Sequence, residues 1–531
     1  MAALATEGDI RRHAETLFAA AAGASPRLFD RKWWTGRLLE WTIRDEAFKV
    51  QLFRFIDVLP TLKTPTQIQR LVEEYFGQET APRLPMGGRS LMRWGMRALS
   101  ASGFGAGVTA ETVYTQALQM ANQFIVGAGI KEALPVLAGL WKRGLAHSVD
   151  LLGEATVSER EADAYAARYQ EALTALADAA GDWRASPVLE ADHLGPLPRA
   201  QISVKLSALY SQFDPIDPEG CYTAVAARLR PIVRAAMRLP VAVTFDMEQY
   251  AWKDLTLEIV RRLLTEEEFR AFPHAGIALQ AYLRDTDRDV RETIKWATTR
   301  GCPFGIRLIK GAYWDYETIV HRQRGWPVPV FPRKTETDAC YERLTPLLLE
   351  HADVIRAAFG THNLRHVALA LAEADRRGLP KKAVEIQMLH GMAEPLQAAV
   401  AGAGYRLRVY APVGELLPGM AYLVRRLLEN TANESILRQQ YLGGQSLDDL
   451  LRPPTATDVA AGLIPAHLQR EGVNPSPTAA AVAGEGSLQR ELEFTNEPHT
   501  DFARPAARQQ MRAALGVMRG RLGRRIELAF P

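Results

Sequence analysis

The chain has 531 residues, of which 47% are hydrophobic and 24% are charged, a composition typical of a large globular protein. Its formal net charge of +3 is too small to indicate a nucleic-acid-binding surface, so we expect no nucleic-acid partner. The three cysteines form no C-x-x-C pair, which disfavours a disulfide framework and a zinc site and fits a cytoplasmic protein. The N-terminal segment lacks the apolar run of a signal peptide, and no stretch of about 18 apolar residues predicts a membrane-spanning helix.

Three regions follow one another along the chain. Residues 1–145 predict an N-terminal helical arm and domain, because apolar residues recur at helical spacing in 8–22 and 37–59. Residues 146–450 alternate short β-branched or aromatic runs with longer helical segments. Residues 451–531 begin with a stretch rich in Pro, Ala and Gly and end in a basic helix, which predicts a linker and a C-terminal segment.

Eight candidate strands occur in the middle region, separated by helical segments. They lie at 148–155, 201–209, 241–249, 276–284, 304–314, 357–363, 384–392 and 406–414. Eight strand–helix units in succession predict an α/β fold, a (β/α)₈ barrel of the TIM type. A doubly wound sheet is the alternative, but no G-x-G-x-x-G follows any of the strands.

Polar side chains stand near the end of each candidate strand. Chemistry in such barrels sits at the carboxyl ends of the strands, so these residues predict one polar mouth. In chain order they are Glu154, Lys205, Asp246 and Glu248, Gln280, Arg307 and Lys310, His362, Gln387 and His390, and Tyr410. A metal site built from the acidic and histidine members is an alternative, disfavoured because no H-x-H or H-E-x-x-H spacing occurs.

Two segments carry the densest chemistry. In RLIKGAYW, Arg307 and Lys310 precede a small-residue pair and two aromatic residues, which indicates a wall for a flat ligand rather than a partnered core arginine. In the helix MAYLVRRLLENTAN, Tyr422 lies one turn from Arg425 and Arg426. Two adjacent guanidinium groups suit a small carboxylate, although an exposed basic patch is the alternative.

The segments KLSAL, FDMEQ, QAYLRD, RLIKGAYW, THN, QMLHGM, YAPVG and AYLVRRLLEN occur in this order. Together they resemble the proline dehydrogenase domain of the bifunctional proline utilization A proteins, over residues 120–435. The resemblance implies an FAD-dependent enzyme that oxidises L-proline to Δ1-pyrroline-5-carboxylate and passes its electrons to a membrane quinone. Without a predicted spanning helix, we expect contact with the inner face of the cell membrane to be peripheral.

The resemblance also implies a role for each matching residue. Asp246, Arg307 and Tyr313 are the implied catalytic residues. The implied substrate-binding residues are Lys205, Glu154, Leu389, Tyr410, Tyr422, Arg425 and Arg426. The implied FAD-binding residues are Met247, Gln280, Arg307, Lys310, Gly311, Ala312, Trp314, Lys334, Thr361, His362, Gln387 and Glu429. No residue is assigned to a metal.

Two departures from the bifunctional pattern shape the expected partners. The sequence contains neither the nucleotide-binding turn nor the catalytic cysteine of an aldehyde dehydrogenase half, so we expect that domain to act as a partner. The chain begins with an arm-like helix rather than a DNA-binding domain, so no repressor role is expected. Two other functions stay open: an enzyme that uses Lys205 as a Schiff-base lysine, and a non-catalytic docking platform for an aldehyde dehydrogenase.

Overall fold

A computed structural model of the chain describes residues 4–23, 54, 58, 64–76, 124–153, 155–415, 422, 446–454 and 499–523. The strands are β1 Ala146–Leu151, β2 Ala191–Asp192, β3 Gly195–Pro196, β4 Ala200–Val204, β5 Val241–Phe245, β6 Ala275–Gln280, β7 Phe304–Ile309, β8 Ile355–Gly360, β9 Glu385–Leu389 and β10 Arg406–Val413. The helices are α1 Glu7–Gly23, α2 Pro65–Phe76, α3 Ile130–Lys142, α4 Glu159–Gly181, α5 Pro218–Arg238, α6 Tyr250–Thr265, α7 Thr286–Arg300, α8 Trp314–Gln323, α9 Lys334–Glu350, α10 Leu364–Arg376, α11 Glu394–Gly402, α12 Leu447–Leu450 and α13 Pro505–Arg519.

The main sheet is a closed parallel barrel in the order β1-β10-β9-β8-β7-β6-β5-β4. All eight predicted strands are present, and the (β/α)₈ fold is confirmed. The barrel closes because β1 pairs with β10 along its whole length and with β4 through Val149 and Asp150. Because every strand is parallel, all the carboxyl ends open at one mouth of the barrel.

The sequence alternation on each strand sorts apolar side chains outward and polar ones inward. Val149, Ile202 and Ile306 are fully buried between the strands and the surrounding helices. Their neighbours Ser148 and Ser203 point into the barrel, where their hydroxyl oxygens lie 3.1 Å apart. The apolar core is therefore the layer between strands and helices, and the space inside the barrel is polar.

Local signals explain where the helices of the outer layer begin. Asp217 caps α5 by accepting a hydrogen bond from the Gly220 backbone N–H at 3.0 Å, and a proline follows it at the first helical position. Asn363 caps α10 in the same way through the His366 N–H at 3.2 Å. Each cap fixes the first residue of its helix directly after a short loop. The helix then leads the chain back to the next strand.

All eight predicted strands end earlier than expected, two of them by five residues. The strand predicted at 201–209 stops at Val204, and Leu206–Leu209 forms a 3-10 helix instead. The strand predicted at 304–314 stops at Ile309, and α8 begins at Trp314. Lys205 and Lys310 therefore follow the last residue of their strands, whereas Arg307 lies within β7.

Helix α1 packs against α10 and α11, although the sequence placed it in a separate N-terminal region. The Ala5 backbone N–H donates to Glu373 at 2.7 Å, and Arg365 donates to both oxygens of Glu7 at 2.7 and 2.8 Å. This helix therefore belongs to the outer layer of the barrel. The domain boundary at 145/146 stays a prediction.

The antiparallel hairpin of β2 and β3 was not predicted. Asp192 accepts a 2.6 Å hydrogen bond from Arg356, near the start of β8, and Arg406 donates to the Ala191 carbonyl at 3.2 Å. The hairpin therefore covers the amino-terminal end of the barrel, opposite the mouth. Two-residue strands carry no alternation, so periodicity could not reveal them.

Candidate active site

Asp246 lies at the centre of a charged network inside the barrel. It follows β5 directly and is 7% exposed. Its Oδ1 accepts a hydrogen bond from Arg307 Nη1 at 2.6 Å, and its Oδ2 accepts one from Tyr410 Oη at 2.6 Å. Lys205 Nζ stands 3.4 Å from the same Oδ2. Four residues predicted from separate segments thus meet at one carboxylate.

Asp150 is a member of this network that the sequence analysis missed. It lies on β1, and its Oδ1 accepts a hydrogen bond from Lys205 Nζ. Ser148 and Ser203 were missed too; their hydroxyl oxygens accept hydrogen bonds from Arg307 Nη2 at 3.3 and 3.2 Å. The alternation on β1 places Ser148 and Asp150 on the same face, a signal that could have found them.

The network keeps Lys205 in its ammonium form. Burial opposes the charge, but the carboxylates of Asp150 and Asp246 outweigh burial and raise the pKa of Lys205 well above its usual value. Burial, together with Asp150 and Asp246, raises the pKa of Tyr410 well above its usual value. Tyr410 therefore stays a phenol that donates to Asp246, and its ring lies 5.2 Å from the Arg307 guanidinium carbon.

A second set of contacts fixes the loops after β4, β5 and β6. Glu248 accepts hydrogen bonds from the Ser207 hydroxyl at 2.5 Å and from the Ser207 backbone N–H at 3.2 Å. Gln280 donates through Nε2 to the Glu248 carbonyl at 3.2 Å. Gln280 Oε1 is buried and has no hydrogen-bond partner within the described part of the chain. Gln280 Oε1 is therefore a buried acceptor that a ligand at the mouth could use.

The loop between β7 and α8 forms one side of the mouth. Gly311 adopts a φ of +134°, and a Cβ at this position would lie 2.4 Å from the ring of Tyr282. Lys310 pairs with Asp338 at 2.6 Å. Tyr313 is half-buried, while Trp314 is 40% exposed and donates through Nε1 to the Phe331 carbonyl at 2.8 Å.

The loops after β8 and β9 contribute the opposite side. Thr361 is buried, and its hydroxyl accepts a hydrogen bond from the Asn363 backbone N–H at 3.1 Å. His362 accepts through Nε2 from the Leu389 N–H at 3.0 Å, which places Leu389 beside it. Gln387 donates at 2.5 Å to Glu385, deeper inside the barrel than the other predicted ligands.

The remaining predicted residues that the structure describes differ in how deeply they are buried. Met247 follows Asp246 and is buried, Tyr422 is buried, Ala312 is half-buried and Lys334 is exposed at the start of α9. Four predicted site residues lie outside the described residues: Glu154, Arg425, Arg426 and Glu429.

Among the residues that the structure describes, no three His, Cys, Asp or Glu side chains are grouped so that they could hold a metal ion. None of the described helices is long and apolar enough to cross a membrane.

Comparison with known proteins identifies the family. The family model described as "Proline dehydrogenase" matches residues 133–439, more than half of the chain, and that of the "Proline utilization A N-terminal domain" matches residues 7–124. The "Bifunctional protein PutA" of Klebsiella aerogenes is 33% identical over 344 residues, which cover 64% of this chain and 25% of that protein. "Proline dehydrogenase 1" of Bacillus subtilis is 29% identical over 317 residues, 60% of this chain and 89% of that protein.

A solved structure agrees over nearly the whole chain. Proline utilization A from Bdellovibrio bacteriovorus, inactivated by N-propargylglycine, has a TM-score of 0.81 and 40% identity, over 97% of this chain and 48% of that one. The chain thus spans about half the length of this relative. The closed barrel and these matches agree, and the chain belongs to the proline dehydrogenase family.

Proposed function

We propose that the chain oxidises L-proline to Δ1-pyrroline-5-carboxylate, the first step in the breakdown of proline to glutamate. The observation that carries the proposal is the convergence of Lys205, Arg307 and Tyr410 on Asp246 at the barrel mouth. FAD, when bound, supplies the chemistry, by accepting at N5 the hydride that leaves C5 of proline. The protein contributes charge and position.

Lys205 is the described residue best suited to bind the substrate carboxylate. It is buried and charged, and charge-assisted hydrogen bonds strengthen where water is excluded. We propose that Arg425 and Arg426 complete the clamp, with Glu154 holding these cations in place. Leu389, Tyr410 and Tyr422 would then wall the pyrrolidine ring, and Tyr313 would close near it.

Arg307 supplies positive charge at the reacting edge of the cofactor. Asp246, Ser148 and Ser203 hold its guanidinium group from three sides, so little reorganisation is needed when negative charge accumulates on reduction. Such preorganised charge is a main source of stabilisation in closed sites. Asp246 therefore serves the reaction through the side chains that it holds.

The described residues fit a flavin at the mouth. Gln280 Oε1 is a buried acceptor that an N–H donor would satisfy, and the absence of a side chain at Gly311 lets the Tyr282 ring pack against the loop that borders the mouth. The exposed face of Trp314 offers an aromatic wall. With these residues we propose that Met247, Lys310, Ala312, Lys334, Thr361, His362, Gln387 and Glu429 line the FAD site.

The electrons must leave the reduced cofactor, and we propose a membrane quinone as acceptor, reached by peripheral contact at the inner face of the cell membrane. The product carries an aldehyde in its hydrolysed form. We propose that an aldehyde dehydrogenase, as a domain or as a separate partner, consumes it.

The Schiff-base alternative is disfavoured by the same network. A lysine attacks a carbonyl only as the neutral amine, and Schiff-base lysines owe their reactivity to a lowered pKa. The pKa of Lys205 is shifted in the opposite direction, since two carboxylates contact its ammonium group. Lys205 is therefore suited to binding an anion.

An anaerobic visible spectrum before and after the addition of L-proline tests the proposal. We expect flavin bands near 375 and 450 nm, roughly those of any oxidised flavin, which bleach with proline and recover with a soluble quinone analogue. Flavin bands that persist with proline would reject the substrate. A colourless protein that FAD does not reconstitute would reject the proposed function.

A further inference from the structure

Asp150 has a narrower set of partners than Asp246. It is 1% exposed, and Lys205 Nζ lies closer to its Oδ1 than to the Asp246 Oδ2 at 3.4 Å. Asp246 already accepts hydrogen bonds from Arg307 and Tyr410, both at 2.6 Å. Asp150 is therefore the principal counter-ion of Lys205, and Asp246 is the secondary one.

Removal of Asp150 would leave Lys205 with two alternatives. A buried ammonium group without a partner is costly, so the side chain would move onto Asp246 or lose its proton. A move onto Asp246 would bring Lys205 into competition with Arg307 and Tyr410 for the same two oxygens. Loss of the proton would abolish its attraction for an anion.

We propose that Asp150 is a positioning residue for substrate binding, which holds Lys205 charged and apart from Asp246 so that its ammonium group faces the substrate carboxylate. The inference rests on the proposed function, because it assumes that Lys205 binds that carboxylate. Asp150 acts through Lys205 and does not touch the substrate. Its effect therefore falls on substrate binding and disappears when Lys205 is absent.

The first experiment compares steady-state kinetics of the full-length flavoenzyme with its Asp150→Asn variant. We expect the KM for L-proline to rise about ten- to hundredfold, as for the loss of one charge-assisted hydrogen bond, with kcat changed less than about threefold. The matched control is Asp192→Asn, which removes a carboxylate with no exposed side-chain surface that pairs with Arg356 at 2.6 Å at the other end of the barrel. Its KM should stay at the wild-type value.

A double-mutant cycle separates positioning from a general structural role. In a Lys205→Met background, Asp150→Asn should change the KM by less than about threefold, because the residue through which it acts is gone. The doubly substituted protein should also melt at a higher temperature than Asp150→Asn, since it has no buried ammonium group that has lost its principal counter-ion. This comparison holds even where Asp150→Asn alone folds poorly.

Two results would overturn the inference. One is an unchanged KM in Asp150→Asn while the wild-type enzyme oxidises proline. The other is an equal increase in KM with and without Lys205. If the flavin bands of the wild-type protein do not bleach with proline, the proposed function itself is rejected. The melting temperatures then still decide whether Asp150 and Lys205 are paired.

Discussion

Asp246 is the residue on which the other charged members of the site depend. Its two oxygens contact Arg307, Tyr410 and Lys205, which come from three different strand ends. A neutral amide at this position keeps the shape of the carboxylate but leaves Asp150 as the one carboxylate that contacts Lys205 among the described residues. Arg307 would lose the carboxylate with which it pairs in the described part of the chain.

Asp246→Asn should therefore lower kcat/KM for L-proline by at least about a hundredfold, because loss of one partner of a buried charge pair costs about 3–5 kcal/mol. Tyr410→Phe removes one hydrogen bond and keeps every charge, so a smaller loss of about tenfold is expected. Steady-state kinetics of the two variants at equal flavin content make the comparison. Equal losses in both would contradict the central position of Asp246.

Part of the site could be predicted from the type of residue near the end of each candidate strand. Lys205, Asp246, Arg307 and Tyr410 were predicted from four segments, and the structure brings them together. Asp150 escaped because it lies inside β1, and Glu154 was chosen near the end of that predicted strand. The contact between Asp150 and Lys205 depends on the register of β1 against β4, which is not written in either segment.

Among the elements, the loop from β7 to α8 places Tyr313 and Trp314 at the mouth. Gly311→Ala would combine a φ of +134° with a Cβ that lies 2.4 Å from the Tyr282 ring, so the loop must shift. We expect the purified variant to retain less than about half of the wild-type flavin per chain, measured by absorbance at fixed protein concentration.

Gly301→Ala is the control for backbone strain alone. Gly301 has a φ of +69°, and nothing lies within 4 Å of the position that its Cβ would take. This variant should cost about 1 kcal/mol of stability and keep its flavin. Equal loss of flavin in the two variants would show that strain alone, rather than contact with Tyr282, disturbs the mouth.

Arg365 on α10 is one of the residues that join helix α1 to the barrel. Arg365 donates to Glu7, to Glu342 at 2.7 and 3.1 Å and to the Leu451 carbonyl at 2.9 Å. Arg365→Met should lower the free energy of unfolding by about 2–3 kcal/mol, because several hydrogen bonds to a buried charge are lost together. Urea unfolding followed by circular dichroism measures this change.

Glu7→Gln tests the same contact from its exposed side. The Glu7 side chain is 64% exposed, so its pairing with Arg365 is screened by solvent and should contribute less than about 1 kcal/mol. Arg365→Met should therefore cost more than Glu7→Gln. If the two cost the same, Arg365 would act on α1 alone rather than joining three helices and residues 446–454.

The elements themselves were largely predictable, because the barrel strands carry apolar outer faces and three of the helices that follow them, α4, α5 and α10, begin at a side-chain cap. Their ends were less so. The strand predicted at 201–209 gave way at Lys205 to a 3-10 helix that Glu248 fixes through Ser207. That contact comes from another strand end, and no local pattern encodes it.

For the molecule as a whole, His147 links stability to pH. It is fully buried on β1, and neither ring nitrogen has a hydrogen-bond partner among the described residues. Burial and the nearby Arg408 lower its pKa to about 3. Between this value and the usual histidine pKa of about 6.5, His147 is therefore protonated in the unfolded chain and neutral in the folded chain. Stability is fully present above a pH of about 6.5 and falls as the pH drops from there toward 3.

His147→Phe should reduce this dependence, since the aromatic ring stays against Trp183 and the titrating group is removed. Between pH 7.5 and 5, wild-type protein should lose about 2 kcal/mol more of its unfolding free energy than the variant. Urea unfolding at both pH values measures the difference, in which the contributions of all other groups cancel. An equal loss in the two proteins would show that His147 is not protonated on unfolding.

The closure of the barrel by β1, which pairs with both β4 and β10, has a consequence for how the candidate site forms. Asp150 comes from the first strand to be synthesised and Tyr410 from the last, so the ribosome must release the whole barrel before the two sides of the mouth meet. A nascent chain that lacks β10 therefore has no complete site. During refolding, we therefore expect proline oxidation to return only when β1 pairs with both β4 and β10 and closes the barrel. The helices and most of the strands should form before this step.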